Sequence, residues 1–184
     1  MANINDFKAK LAGGGARANQ FKVTMPFPGY AQVGGEIEDL AFLCKGTQLP
    51  GMTLPSFTVP FRGRQIKIAG DRTFEDWTIT VLNDTDFSIR SAFEKWMNFI
   101  NKVSDNTGST NAEDYQADAY VYQLDRSGET LRKYHFFDVF PTQVAPIELS
   151  YDSAGIQEFT VELQVQWWEA VKGTGANAGG EDIN

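Results

Sequence analysis

From Phe159 to Trp167 the chain alternates without a miss. Phe159, Val161, Leu163, Val165 and Trp167 are apolar, and Thr160, Glu162, Gln164 and Gln166 between them are polar. Successive side chains of a strand point to opposite sides, so this period of two defines a β-strand with one buried face and one wet face. Such a strand needs a second apolar layer to cover it. The same texture recurs upstream. Phe21, Val23 and Met25 alternate with Lys22 and Thr24 until Pro26-Phe27-Pro28-Gly29 breaks the run. Trp77, Ile79 and Val81 point one way and Thr78 and Thr80 the other, and Arg64–Ala69 reads as the strand before them, joined through Gly70-Asp71-Arg72-Thr73. Tyr115–Leu124 and Thr130–Phe137 flank Asp125-Arg126-Ser127-Gly128 as a hairpin. A polar stretch through Gly34-Gly35 leads to Leu40–Cys44, which reads as a return strand.

The period changes to a helical one over residues 86–103. There Ile89, Phe93, Trp96, Ile100 and Val103 form one apolar stripe, with Asp84, Thr85 and Asp86 as N-cap candidates. At that spacing Trp96 reads as core. A short helix is expected over residues 3–11, with Ile4, Phe7 and Leu11 on one side, ended by the flexible run Gly13-Gly14-Gly15. Ser104–Asp114 is a polar loop, and the glycine-rich sequence after Glu169 reads as a flexible tail. The expected organisation is an N-terminal arm (1–19), a β domain (20–169) and a C-terminal tail (170–184). The expected class is mainly β, two antiparallel sheets packed as a sandwich or small barrel with one flanking α-helix. Its core is expected to hold Trp77, Ile79, Val81, Phe93, Trp96, Phe159, Val161, Leu163 and Val165.

The chemical inventory is thin. One cysteine, Cys44, permits no intramolecular disulfide and no Cys cluster for zinc, and it reads as a small core hydrophobe. One histidine, His135, removes the commonest metal sets and reads as a packed or edge residue in its strand. No Gly-x-Ser-x-Gly elbow, dinucleotide fingerprint or phosphate-binding loop is present, and pairs such as Glu75-Asp76 and Glu113-Asp114 read as solvated surface. No catalysis, cofactor or metal is expected. Sixteen basic and 24 acidic residues give a net charge of −8, which argues against a grip on nucleic acid. No apolar run is long enough to span a membrane, and the N-terminus lacks the apolar core of a secretory signal, so synthesis without an export address is expected.

Residues 48–63, QLPGMTLPSFTVPFRG, do not fit a solvated loop. Three prolines and two glycines are expected to prevent continuous strand pairing, yet Leu49, Met52, Leu54, Phe57, Val59 and Phe61 are too apolar to be left in water. Two readings stay open: cover for the chain's own sheet, or contact with a neighbouring subunit.

Residues 69–84, AGDRTFEDWTITVLND, resemble the tail tube protein of contractile-tailed bacteriophages. Further segments fall in matching order: Cys44-Lys45, Leu49-Pro50-Gly51, Arg64–Ile68, Trp96, Phe140-Pro141-Thr142, Tyr151-Asp152 and Phe159–Glu169. The Pro26–Asp39 connection is longer than that pattern, and the tail after Glu169 extends beyond it. The resemblance implies hexameric rings whose sheets join into one β-barrel around a channel. Stacked rings would form a tube inside a sheath, growing from a baseplate in the host cytoplasm and ending in the virion tail. DNA would pass without specific binding, and the monomer would not insert into membranes. Under this reading Leu49, Met52, Leu54, Phe57, Val59 and Phe61 become inter-subunit or inter-ring contacts. Arg72 pairs within the chain or with a neighbour, and Glu162 is the candidate to face the channel. The competing readings are the tube of another injection machine (type VI secretion or a phage-derived bacteriocin) and a β-barrel enzyme or ligand-binding module.

Overall fold

The computed structural model describes residues 3–10, 15–152 and 154–172. In chain order they form α1 (Ile4–Lys10), β1 (Phe21–Thr24), α2 (Glu36–Leu43), β2 (Cys44–Gln48), β3 (Met52–Thr53), β4 (Ser56–Phe61), β5 (Arg64–Ala69) and β6 (Thr73–Phe74). There follow β7 (Trp77–Leu82), α3 (Ser88–Ile100), β8 (Ala117–Leu124), β9 (Thr130–Val144), β10 (Glu158–Gln164) and β11 (Trp167–Lys172). The expected glycine hinge at Gly13-Gly14 and most of the expected tail lie outside the described residues.

Strand β9 organises the body. Its first part pairs with β8 on one edge and β11 on the other, while Phe140–Val144 pairs with β10. At the changeover Asp138 has a φ of 54°. A left-handed residue inside a strand makes a bulge, and the strand bends there. The bend divides the antiparallel sheet, ordered β1-β8-β9-β10-β7-β2, into two layers that share β9. The Trp77 ring of β7 stacks on Phe136 of β9 with centroids 4.6 Å apart and planes 3° apart. Its indole N–H donates to Thr47 Oγ1 at 2.7 Å, so even the polar atom of this buried side chain is satisfied. Ile79, Val81, Phe159, Val161, Leu163 and Val165 fill the same interior.

Helix α3 closes the interior with Ile89, Phe93 and Trp96, whose indole N–H donates to Tyr115 O at 2.7 Å. It is shorter than the apolar stripe. The chain leaves the helix at Asn101, and Val103, expected on the buried stripe, is exposed. Its N-cap is Phe87, not one of the expected residues; Asp84 contributes from four residues before Ser88, accepting from the Ser88 N–H at 3.0 Å and its hydroxyl at 2.7 Å.

The expected return strand at Leu40–Cys44 is overturned. Leu40–Leu43 forms the end of α2, and only Cys44 belongs to a strand. A strand would have put Leu40 and Phe42 on one face; here Leu40 is buried while Phe42 is 86% exposed. Ile37, Leu40 and Leu43 recur every three residues and pack on the core. The helix is launched by buried Glu36, whose Oε2 accepts from the N–H groups of Gly34 (2.6 Å) and Val33 (3.2 Å). That carboxylate orders the long Pro26–Asp39 connection. No helix among the described residues is long and apolar enough to cross a membrane.

Candidate assembly surfaces

The segment around residues 48–63 is a projecting β-hairpin, which corrects the expectation that its prolines prevent pairing. β2 and β7 continue outward as β3 with β6 and then β4 with β5, a ladder interrupted near Pro50 and Pro55. Beyond the second break, six consecutive pairs run from Ser56↔Ala69 to Phe61↔Arg64. Arg62 and Gly63, at φ 45° and 80°, make the two-residue turn with both residues left-handed, the geometry that matches strand twist. Such a turn places Pro60↔Gln65 at a pair that exchanges no backbone hydrogen bonds, so the missing N–H of Pro60 costs the ladder nothing. At the second break the Gly70 N–H donates to Pro55 O at 2.7 Å; a Cβ on Gly70 would lie 3.2 Å from that oxygen.

All twelve residues of β4 and β5 are exposed. Directly opposed residues share a face, so Phe57, Ile68, Val59, Ile66, Phe61 and Arg64 line one side and Thr58, Lys67, Pro60 and Gln65 the other. The first side is an apolar face with nothing against it among the described residues: Phe57 is 52% and Phe61 59% exposed. Leu49, Met52 and Leu54, nearer the body, are exposed as well. Ile66 and Ile68 belong to the same face but were read from sequence only as strand; their pairing with Val59 and Phe57 is the missing signal. The hairpin is also basic. Ser56–Ala69 holds Arg62, Arg64 and Lys67 and no acid, leaving thirteen of the 16 cations to share the rest of the chain with all 24 acids. Arg72, just below it, is exposed and makes no ion pair among the described residues.

The second surface is the outward face of the layer β2-β7-β10-β9. Gln48, Thr78, Glu162 and Gln143 stand side by side across its four strands, and Thr80 faces Thr160 with hydroxyl oxygens 3.4 Å apart in the next row. Lys45 is paired to Glu158, whereas Glu162 makes no ion pair among the described residues. This face is wet, nearly free of apolar side chains and slightly acidic. Among the described residues both borders of the layer are open: β2 pairs only with β7, and the β8 ladder stops at Val139, leaving the second edge of Phe140–Val144 unpaired. An open edge presents unpaired N–H and C=O groups to any strand of suitable length.

The groups with most chemical potential are occupied structurally. Cys44 is buried, which pushes its thiol up to about 11, against a smaller lowering by its hydrogen bond to Gly46 O. A thiol held that high is protonated at neutral pH and is a poor nucleophile. His135 Nε2 lies 2.9 Å from Asp118 Oδ2, between the rings of Tyr120 and Phe137. No group of three potential metal ligands occurs among the described residues.

A two-layer β body with open edges, a polar sheet face and an apolar projecting finger defines a β protein whose described residues leave association surfaces uncovered. The fold is shared with a chain of the anti-feeding prophage baseplate (TM-score 0.62, 13% identity, covering 86% of this chain and 96% of that one). It is shared also with a chain of the sheath–tube complex of an extracellular contractile injection system, PVC (TM-score 0.57, 13% identity, 90% and 97%). In sequence, the tail tube protein gp19 of Enterobacteria phage T4 is 35% identical over 88% of this chain and 96% of its own length. The tail tube protein of Serratia phage KSP90 is 28% identical over 89% and 94%. The model of the family described as phage tail tube protein matches residues 16–171. The chain belongs to the phage tail tube protein family.

Proposed function

We propose that six copies of this chain close into a ring by pairing the open edge of β2 in one copy with the Phe140–Val144 edge of the next, and that rings stack into the tube of a contractile phage tail. The carrying observation is the four-stranded layer with a polar outward face and two unpaired borders. Closure removes every exposed edge of that layer. Four strands from each of six copies give roughly 24; at ~4.8 Å spacing and ~40° tilt, the barrel has a backbone diameter of ~48 Å. Side chains on the inner wall narrow this but leave room for a DNA duplex.

In this assembly the row Gln48, Thr78, Glu162, Gln143 faces the bore. Uncharged polar groups offer DNA no apolar grip, and Glu162 repels phosphate, so the wall passes DNA without holding it. The subunit works by shape and has no catalytic step; its partners are its own copies, a surrounding sheath and the baseplate that nucleates the first ring. The sequence relatives at 28–35% identity are phage proteins while the injection-system chains stand at 13%, so a phage tail is preferred to another injection machine. Negative-stain electron microscopy of the purified protein over a concentration series, with and without baseplate seeds, tests the reading. Rings and tubes are expected. A solitary compact particle under every nucleating condition would end it.

A further inference from the structure

An apolar finger carrying three cations calls for a seat that is apolar and acidic, and the connection between β9 and β10, residues 145–157, has both properties in its described residues 145–152 and 154–157. Leu149, Tyr151 and Ile156 are exposed on it, Tyr151 completely. Its only charged residues are Glu148 and Asp152, both exposed. Glu148, Leu149, Tyr151, Gly155 and Gln157 surround a hollow of about 370 Å³.

Its place in the fold determines which molecule can use it. The Asn83 N–H donates to Gln157 O at 2.8 Å and Glu158 pairs with Leu82, so the connection sits at the C-terminal end of β7. The hairpin leaves from the opposite end, where the Glu75 N–H donates to Gly51 O just before β7 begins at Trp77. Six strand residues, ~20 Å, separate the two ends, and the hairpin projects away from the loop. One copy cannot bring its own finger to its own seat.

We propose that the β4–β5 hairpin of one copy seats its apolar face on the 145–157 connection of a copy in the adjacent ring, with Arg62 and Arg64 facing Glu148 and Asp152. Arg64 lies on the apolar face itself, opposite Phe61, and Arg62 is in the turn beside it, with its guanidinium carbon 5.4 Å from the Phe61 ring centre. The cations therefore enter the contact together with the apolar side chains. Two different patches at opposite ends of a subunit make a head-to-tail contact that repeats along an axis without closing. This assignment rests on the tube reading above and specifies which surfaces join one ring to the next.

The test is charge exchange in the full chain, with ring formation and stacking scored separately by electron microscopy and sedimentation. The pair Arg62→Glu with Arg64→Glu, and the pair Glu148→Lys with Asp152→Lys, are each expected to leave rings intact and raise the concentration needed for stacking at least ~10-fold. Combining all four is expected to bring stacking back to within about threefold of wild type. All four residues are exposed, and thermal melts verify that each variant folds. If the loop pair stacks like wild type while the hairpin pair does not, the finger sits elsewhere and this assignment falls, although the tube reading survives. If wild-type protein never forms rings, both fall.

Discussion

Replacing Phe57 by alanine separates a residue that holds its own chain together from one that holds copies together. Its ring is 52% exposed, on a face that no other part of the described residues covers. A phenylalanine buries about 150–250 Å² when fully covered. Roughly half of that, ~100 Å², remains for a neighbouring copy to remove from water, which at ~25 cal/mol per Å² is ~2.5 kcal/mol per contact. At 1.4 kcal/mol per decade, Phe57→Ala should weaken association about 60-fold. The folded chain loses little by the same change, within about 0.5 kcal/mol, as for exposed sites generally. The assay pairs a thermal melt of the unassembled subunit with the critical concentration for polymerisation by light scattering. A fall of several degrees in the melt with unchanged polymerisation would refute the reasoning, because the ring would then have to be packed within its own chain.

Other outcomes follow from the geometry. Trp77→Ala removes the stack on Phe136 and leaves Thr47 without its indole donor, so chemical denaturation should record a loss of about 3–5 kcal/mol. Asp125 holds the β8–β9 turn through the Ser127 hydroxyl at 2.7 Å, with the N–H groups of Ser127 and Glu129 also donating to it, and these bonds keep its carboxyl below the usual range. A carboxyl held low in the folded state stabilises above its unfolded value and loses that effect as pH falls through the folded one. Amide-exchange protection at the turn should therefore fade below the ordinary carboxylate range, and Asp125→Asn should flatten that dependence. Glu162→Lys should make DNA exit slower at low salt and near normal at high salt, since phosphate contacts weaken as salt rises; ejection kinetics that ignore both the substitution and the salt would remove Glu162 from the bore.

The interior was legible because burial writes itself into the sequence. Strict alternation in residues 159–165 and 77–81 left one register with the apolar side inward, and the structure uses it. The run read on to Trp167 is split, however: β10 ends at Gln164, and Trp167, 39% exposed, opens β11 against Phe137. Where the signal was short, the reading failed. Leu40–Cys44 carries too few residues to separate a period of two from one of three, and the buried Glu36 that launches the helix resembles any surface acid until its partners at Val33 and Gly34 are seen. The hairpin failed differently. Its prolines look like strand breakers, and only the turn at Arg62-Gly63 fixes the register that makes Pro60 harmless. The connection at 145–157 carried no periodic signal at all. Its meaning lies in where β7, β9 and β10 place it, a relation between distant parts of the chain that no local pattern encodes.

The charge on the finger also bears on why copies would not pair in the wrong way. Exposed apolar strands normally invite their own kind, and two hairpins laid face to face would bury Phe57, Val59, Phe61, Ile66 and Ile68 symmetrically. Such a contact would close as a dimer and halt growth. It would also gather Arg64, which lies on that face, and Arg62 in the turn beside it from both copies into one contact with no acid between them, because Ser56–Ala69 contains none. Like charges forced together at an interface disfavour that partner more than the same charges cost when solvated. The acids lie on the rest of the chain, so the favourable mate for a finger is the body of another copy. A symmetric pairing is discouraged by repulsion while a directional one is drawn together. In the tube proposed above, that asymmetry would make the stack of rings polar, every subunit pointing the same way.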